Sequence, residues 1–339
     1  DRRWSSLVYS AAGEPRRADR SHGLTLNCMD IADLDNLRIV LDPIGQAGVA
    51  LALMLVMFSV ALGLRIDDFR FLIEKPLLFM GGVAAQVLAL PLVTFALILV
   101  LAPPASVALG MIVVACCPGG AVSNLMTYLS RGNVAVSVAL TATSSMLAAL
   151  LTPASILFWS HSYEPTASLL KTLDVSPFVF LSQTTVLLAL PLVLGMTVAA
   201  KAPDVAARIR QRATLIGASA LIGIVIYGII YFIDILIPVL SVIGVVVLVH
   251  NALAFATGAF AGFVLSRRSA TRRALTFEIG IQNSGLALVI LLSQLKGLGG
   301  AAAVATLWGV WHLIAGSFIV ALFRSWDLEG NWFGRQHNN

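Results

Sequence analysis

Cys117-Pro118-Gly119-Gly120-Ala121-Val122-Ser123-Asn124 and Glu278-Ile279-Gly280-Ile281-Gln282-Asn283-Ser284-Gly285 interrupt two apolar stretches that are otherwise long enough to cross a bilayer. In hydrocarbon every backbone N–H and C=O needs a partner, and each orphan costs several kcal/mol. Pro118 lacks a donor, and the glycines supply freedom that a spanning helix does not need. Such interruptions persist in a membrane only where protein or a water-filled cavity covers them, and there they form binding sites. The second stretch also carries Glu278, a carboxylate that hydropathy alone would exclude. The two breaks therefore read as halves of one ion and substrate site.

Composition sets the frame for these breaks. Of 339 residues, 58% are hydrophobic and only 12% charged. Soluble domains carry about 25% charged residues, so the chain is an integral membrane protein. Its net charge of +5 would suggest nucleic acid in a soluble protein. Here most basic residues sit in short loops between apolar runs, where membrane orientation explains them and no nucleic-acid partner is expected. Three cysteines, Cys28, Cys116 and Cys117, cannot build a disulfide framework, and the adjacent pair lacks metal-ligand spacing.

Residues 1–42 are polar and mixed in charge, with no apolar run of the ~7–15 residues that a signal peptide needs. They are expected to form a disordered tail. Apolar stretches near the ~20 residues that a bilayer demands then follow. They fall at 43–64, 77–101, 105–131 (broken), 133–159, 176–200, 212–232, 236–265, 270–295 (broken) and 301–323, which makes nine. A short tail, 324–339, closes the chain.

Charge placement supports that count. With the N-terminus outside, the inside loops and C-terminus hold fourteen basic residues, among them Arg131, Lys201, Arg208, Arg267, Arg268, Arg272 and Arg273. Outside loops hold only Lys171 and Lys296, leaving six in the N-terminal tail. Such an asymmetry is what the positive-inside rule describes. The broken third and eighth spans cross in opposite directions, a pattern that points to an inverted-repeat transporter. Spans one to four match spans six to nine, with one helix missing at the start of the first half.

Glu278 is the only one of seventeen acidic residues that falls well inside a span. A charge at mid-membrane costs ~2.5–3.5 kcal/mol on insertion scales, so the carboxylate must face a cavity or a cation. Gln282 follows four residues later, on the same face wherever the helix is intact. Ser123 and Asn124 occupy the other break, Ser137 and Thr141 share one face of the fourth span, and Gln86 is a lone amide in the second. One carboxylate among neutral oxygens suits a hard monovalent cation, sodium rather than calcium. Ser144, Ser145 and Gln183 read as ordinary polar glue between helices. His250 and His312 read first as hydrogen-bonded helix contacts, with a proton relay as the alternative. The half-helix N-termini at the breaks would attract an anion. No P-loop, GxSxG or HExxH pattern is present, so the sequence offers no sign of ATP hydrolysis or of a hydrolase.

The two break motifs, the first continuing as Leu125-Met126-Thr127-Tyr128-Leu129-Ser130-Arg131-Gly132-Asn133, resemble the paired core motifs of the bile acid:sodium symporter family. Gln86, His250-Asn251 and Trp311-His312 fall where that family places similar residues, and the resemblance covers about 43–323. It implies an all-α fold with a panel domain, a core domain and two broken helices crossing in the core. It also implies two sodium sites. One would use Ser123, Asn124, Ser137, Thr141 and Glu278. The second would use Gln86, Glu278 and Gln282 with the backbone carbonyls of Ile279 and Ile281. Ala121, Asn283, Ser284 and His312 would face the substrate. Ala121 stands where some bacterial members have Thr, and Leu313 where they have Asn, which puts substrate identity in doubt but not ion coupling.

The expectation is a nine-helix, sodium-coupled symporter of an organic anion in the cell membrane, working by alternating access with two Na⁺ ions. Its rivals are a proton-coupled carrier with Glu278 as the proton site, an anion channel, and a membrane enzyme using Glu278 and His250.

Overall fold

The computed structural model describes residues 34–36, 43–63, 74–231 and 233–336. Everything in these segments that is regular is helical, apart from one isolated bridge. Apart from residues 34–36, the expected disordered tail lies outside the described residues. Those three form a short turn in which Leu34 is buried and Asp35 reaches the main helices.

Apolar composition makes the long elements. Helix α1 is Pro43–Ala61. A single continuous rod follows, made of α2 (Pro76–Ala84), a π-turn (Ala85–Ala89) and α3 (Leu90–Leu101). Pro91 has no N–H to donate and crowds the carbonyl four residues back. The widened π-turn accommodates it, as such bulges often do near functional sites. Next come α4 (Ala105–Cys116), α5 (Ala121–Leu129) and α6 (Val134–Ser162). A short helix α7 (Glu164–Thr172) precedes α8 (Pro177–Lys201), α9 (Pro203–Tyr231) and α10 (Ile233–Leu265). The chain finishes with α11 (Ser269–Gly280), α12 (Ser284–Ser293) and α13 (Gly299–Gln336).

Among the described residues six segments are long and apolar enough to cross a membrane: Ile44–Ala61, Pro76–Leu101, Val134–Ser162, Pro177–Lys201, Ile243–Leu265 and Gly299–Asp327. Ala105–Cys116 and Ser284–Ser293 are shorter apolar helices, one half of each broken stretch. The last helix runs on past 323, where the last span is expected to end. It continues to Gln336, and within it Arg324 and Asp327 hydrogen-bond back to the neighbouring elements.

Helix α1 packs on α8 and α9, whereas α4, α12 and α13 pack together and α10 runs along α11. Every residue of α4 from Ser106 to Cys116 is buried. A broken helix inside a membrane needs that protein coat. Helix α10 can lie against α11 because Gly258 and Gly262 face it. A Cβ at Gly258 would stand 2.6 Å from the carbonyl oxygen of Leu275, and one at Gly262 would stand 2.8 Å from Cα of Arg272. Small residues four apart let two membrane helices meet backbone to backbone.

Candidate functional site

The two breaks meet. Residues 117–120 and 281–283 run past each other, with Gly119 and Gln282 forming an antiparallel bridge. The amide of Asn283 donates to the carbonyl of Pro118 at 2.9 Å, and the Gln86 side chain donates to the carbonyl of Cys117 at 2.9 Å. Each unwound segment therefore satisfies backbone groups that the other leaves open. That mutual pairing is what allows extended backbone here.

The sequence assigns Glu278, Ser123 and Asn124 to the breaks themselves, but all three lie in flanking helical turns. Glu278 stands near the end of α11, and Ser123 and Asn124 open α5. Glu278 is 2% exposed. Its carboxylate accepts from Ser123 Oγ at 2.8 Å and Ser137 Oγ at 3.3 Å, and Thr141 Oγ1 lies 2.8 Å from both carboxylate oxygens. Asn124 Oδ1 is 3.3 Å from the Thr141 hydroxyl. Ser137 and Thr141 thus share a face of α6, and that face looks at Glu278. Gly119 abuts the same carboxylate so closely that a Cβ would collide with Glu278 Oε1. Here glycine serves close approach.

Gln282 does not share a helical face with Glu278, because α11 ends at Gly280 and Gln282 belongs to the bridge. It pairs instead with Gln86, which the π-turn carries. Gln86 Nε2 donates to Gln282 Oε1 at 2.8 Å, and Gln282 Nε2 donates to Gln86 Oε1 at 3.3 Å and to the carbonyl of Ile279 at 2.6 Å. The Ile279 and Ile281 side chains are fully buried, the latter against Met126, Phe255 and Phe277. The structure therefore holds two polar groups, one around Glu278 and one around the amide pair, with Gly119 touching both.

The four residues expected to face the substrate are only partly gathered. Asn283 lies against Gly120, next to Ala121, and Ser284 packs beside Gly309, three residues before His312. The Asn283 side chain accepts from the amide of Leu286 at 3.0 Å and so caps α12 itself. Helix α5, by contrast, has Gly120 at its N-cap and so no side-chain cap. His312 is 4% exposed. His250 serves helix packing. The Thr94 hydroxyl donates to the carbonyl of Leu90, so it accepts from His250 Nε2 at 2.7 Å, while the ring meets Trp308 edge-on at 4.6 Å. None of these four lines the cleft of about 400 Å³ between α1, α8 and the residue after α12, which is bounded by Met54, Ser182, Gln183, Val186, Leu187 and Gln294.

Among the described residues no cationic side chain pairs with Glu278, and no three His, Cys, Asp or Glu side chains gather. The donors at this crossing are one carboxylate and neutral oxygens. A family profile described as "Sodium Bile acid symporter family" matches residues 50–260. The chain belongs to that family. It is therefore a multi-pass membrane transporter and not an enzyme. The chain is similar to an uncharacterized sodium-dependent transporter, YocS, of Bacillus subtilis, 32% identical over 268 residues that make up 78% of this chain and 79% of that protein. The probable sodium/metabolite cotransporter BASS1, chloroplastic, of Oryza sativa subsp. japonica is 31% identical over 79% of this chain and 64% of its own length. The ileal sodium/bile acid cotransporter of Homo sapiens is 28% identical over 76% of this chain and 72% of its own.

Sequence reasoning missed the π-turn under Gln86, and it placed Gln86 and Gln282 together only through the family resemblance, without their direct hydrogen bonds. The Pro91 that follows Gln86 by five residues is the signal that could have found the first. A contact between residues 196 apart leaves no local signal.

Proposed function

We propose that this chain is a secondary active transporter that imports an organic anion coupled to sodium, by alternating access. The observation that carries this reading is Glu278, a buried carboxylate held by hydroxyls from α5 and α6 with no cationic partner among the described residues. An ion at that depth offsets a charge that costs ~2.5–3.5 kcal/mol on insertion scales. Neutral hydroxyl and amide oxygens around a single carboxylate suit sodium. One ion binds among Ser123, Asn124, Ser137, Thr141 and Glu278. The second binds among Gln86, Gln282, Glu278 and the carbonyls of Ile279 and Ile281, and its entry requires the paired amides to part.

The anion sits at the N-terminus of α5, by Ala121, with Asn283, Ser284 and His312 around it. That end has no side-chain cap, so its positive dipole end favours an anion, whereas α12 caps itself through Asn283. The names of the relatives, sodium/bile acid and sodium/metabolite cotransporters, fit an organic anion such as a bile acid, a steroid sulfate, a pantoate-like acid or another carboxylate.

The architecture that goes with this activity has nine spans, with the N-terminus outside and the C-terminus in the cytoplasm. Its two halves are inverted repeats. Helices α1, α8 and α9 form a panel, and the remaining spans form a core that moves against it in the cell membrane. Sodium neutralises Glu278 and draws α5, α6 and α11 together, which sets the core for movement.

The test is uptake of radiolabelled organic anions into proteoliposomes. Uptake should require sodium and vanish when choline replaces it. Glu278→Gln should abolish the sodium-dependent part. Uptake driven by a pH gradient without sodium would favour a proton-coupled carrier, with Glu278 as the proton site.

A further inference from the structure

Five residues before Glu278 on α11, Arg273 is buried to 9% exposure. Its Nη1 donates to the carbonyl of Ser130 at 2.6 Å and to Asp327 Oδ2 at 2.9 Å, and Nη2 donates to Asp327 Oδ1 at 2.6 Å. The guanidinium also stacks over Phe323 at 5.0 Å. One residue earlier on the chain, the carbonyl of Leu129 accepts from Arg324 Nε at 2.7 Å. Leu129 and Ser130 end α5, where helix carbonyls have no intrahelical partner and positive charge is favoured. A single fork therefore ties the end of α5 to α11 and α13. Between this knot and the crossing lies an apolar column. Phe277 meets Phe323 edge-on at 6.0 Å and Phe255 at 6.2 Å, with Met126 and Ile281 packed alongside.

We infer that Arg273, neutralised by Asp327, is a positioning residue for the cation site at the other end of the same two helices. The inference rests on the reading of Glu278 and Ser123 as ion ligands. Ser123 is seven residues from Ser130, about 10 Å along α5, and Glu278 is five from Arg273. Fixing both far ends to α13 sets the distance between the Ser123 hydroxyl and the Glu278 carboxylate before an ion arrives. Arg273 acts through geometry and touches no ligand.

The test titrates sodium chloride, with choline chloride keeping ionic strength constant, against uptake by the full-length protein in proteoliposomes, with melting temperature in parallel. Arg273→Lys keeps the charge but loses the planar fork. It should raise half-saturating sodium about tenfold, the scale on which residues behind metal ligands act. Maximal uptake at saturating sodium should be retained. Asp327→Asn should do the same, and it carries the test if Arg273→Lys does not fold. Arg131→Gln removes an exposed guanidinium 3.8 Å from Asp327 and should leave half-saturation as in the unaltered protein. A lowered melting temperature with unchanged half-saturation in both Arg273→Lys and Asp327→Asn would reduce the clamp to a structural bond and overturn the inference. If Glu278→Gln kept the full sodium response, the ion-site reading would fall and this one with it. If Glu278→Gln lost that response while Arg273→Lys kept normal half-saturation, only the present inference would fall.

Discussion

At the residue scale, the hydroxyls around Glu278 are not equivalent. Thr141 Oγ1 is 2.8 Å from both carboxylate oxygens, whereas Ser137 Oγ is 3.3 Å from one. Hydrogen bonds to a charged group are worth ~1.5–3 kcal/mol and weaken with distance. Thr141→Val, which keeps the shape and removes the hydroxyl, should therefore raise half-saturating sodium by roughly tenfold or more. Ser137→Ala should raise it less. Sodium titrations of uptake check the order, and a reversed order would place Ser137 nearer the ion than these distances allow. Glu278 is legible in the sequence because a lone carboxylate within an apolar run has no cheap alternative to function. Arg273 is not. Beside Arg267, Arg268 and Arg272 it reads as one more loop charge, and only folding brings it to Asp327, 54 residues away.

At the element scale, the breaks are visible as sequence because proline and clustered glycine have local causes. What pairs with them is hidden, since the Gly119–Gln282 bridge joins segments more than 160 residues apart. Face-sharing argued from spacing succeeds for Ser137 and Thr141, where α6 is intact. It fails for Gln282, where α11 has already ended. The α10–α11 contact is a further element that local patterning announces only in retrospect, through Gly258 and Gly262. Gly258→Leu puts four carbons where the Leu275 carbonyl lies 2.6 Å from the first of them. Overpacking of this kind costs ~1–3 kcal/mol or more. Because α11 carries Glu278, the variant should both melt earlier and lose sodium-dependent uptake. A stable variant with normal uptake would show that α11 can shift without disturbing the crossing.

For the whole molecule, orientation is the property that charge asymmetry speaks to most directly. In a Cys28→Ser background the native Cys116 and Cys117 are both buried. Lys171→Cys and Lys296→Cys should then react with a membrane-impermeant maleimide on intact cells, and Arg267→Cys only after the membrane is opened. The opposite pattern would invert the proposed topology. At this scale the six long apolar helices among the described residues are legible in the sequence because a bilayer fixes element length. The tie between the start of the chain and the bundle is not legible, since residues 1–42 read as uniformly polar. Asp35 nonetheless takes hydrogen bonds from the amides of Ala105 at 3.2 Å and Ser106 at 2.7 Å, the first turn of the fully covered α4. The lid on that helix is thus borrowed from upstream of the first span. A version cut at Pro43 would strip the amides of Ala105 and Ser106 of the carboxylate that now accepts from them, so trimming what reads as a plain polar tail takes away an anchor of the first broken helix.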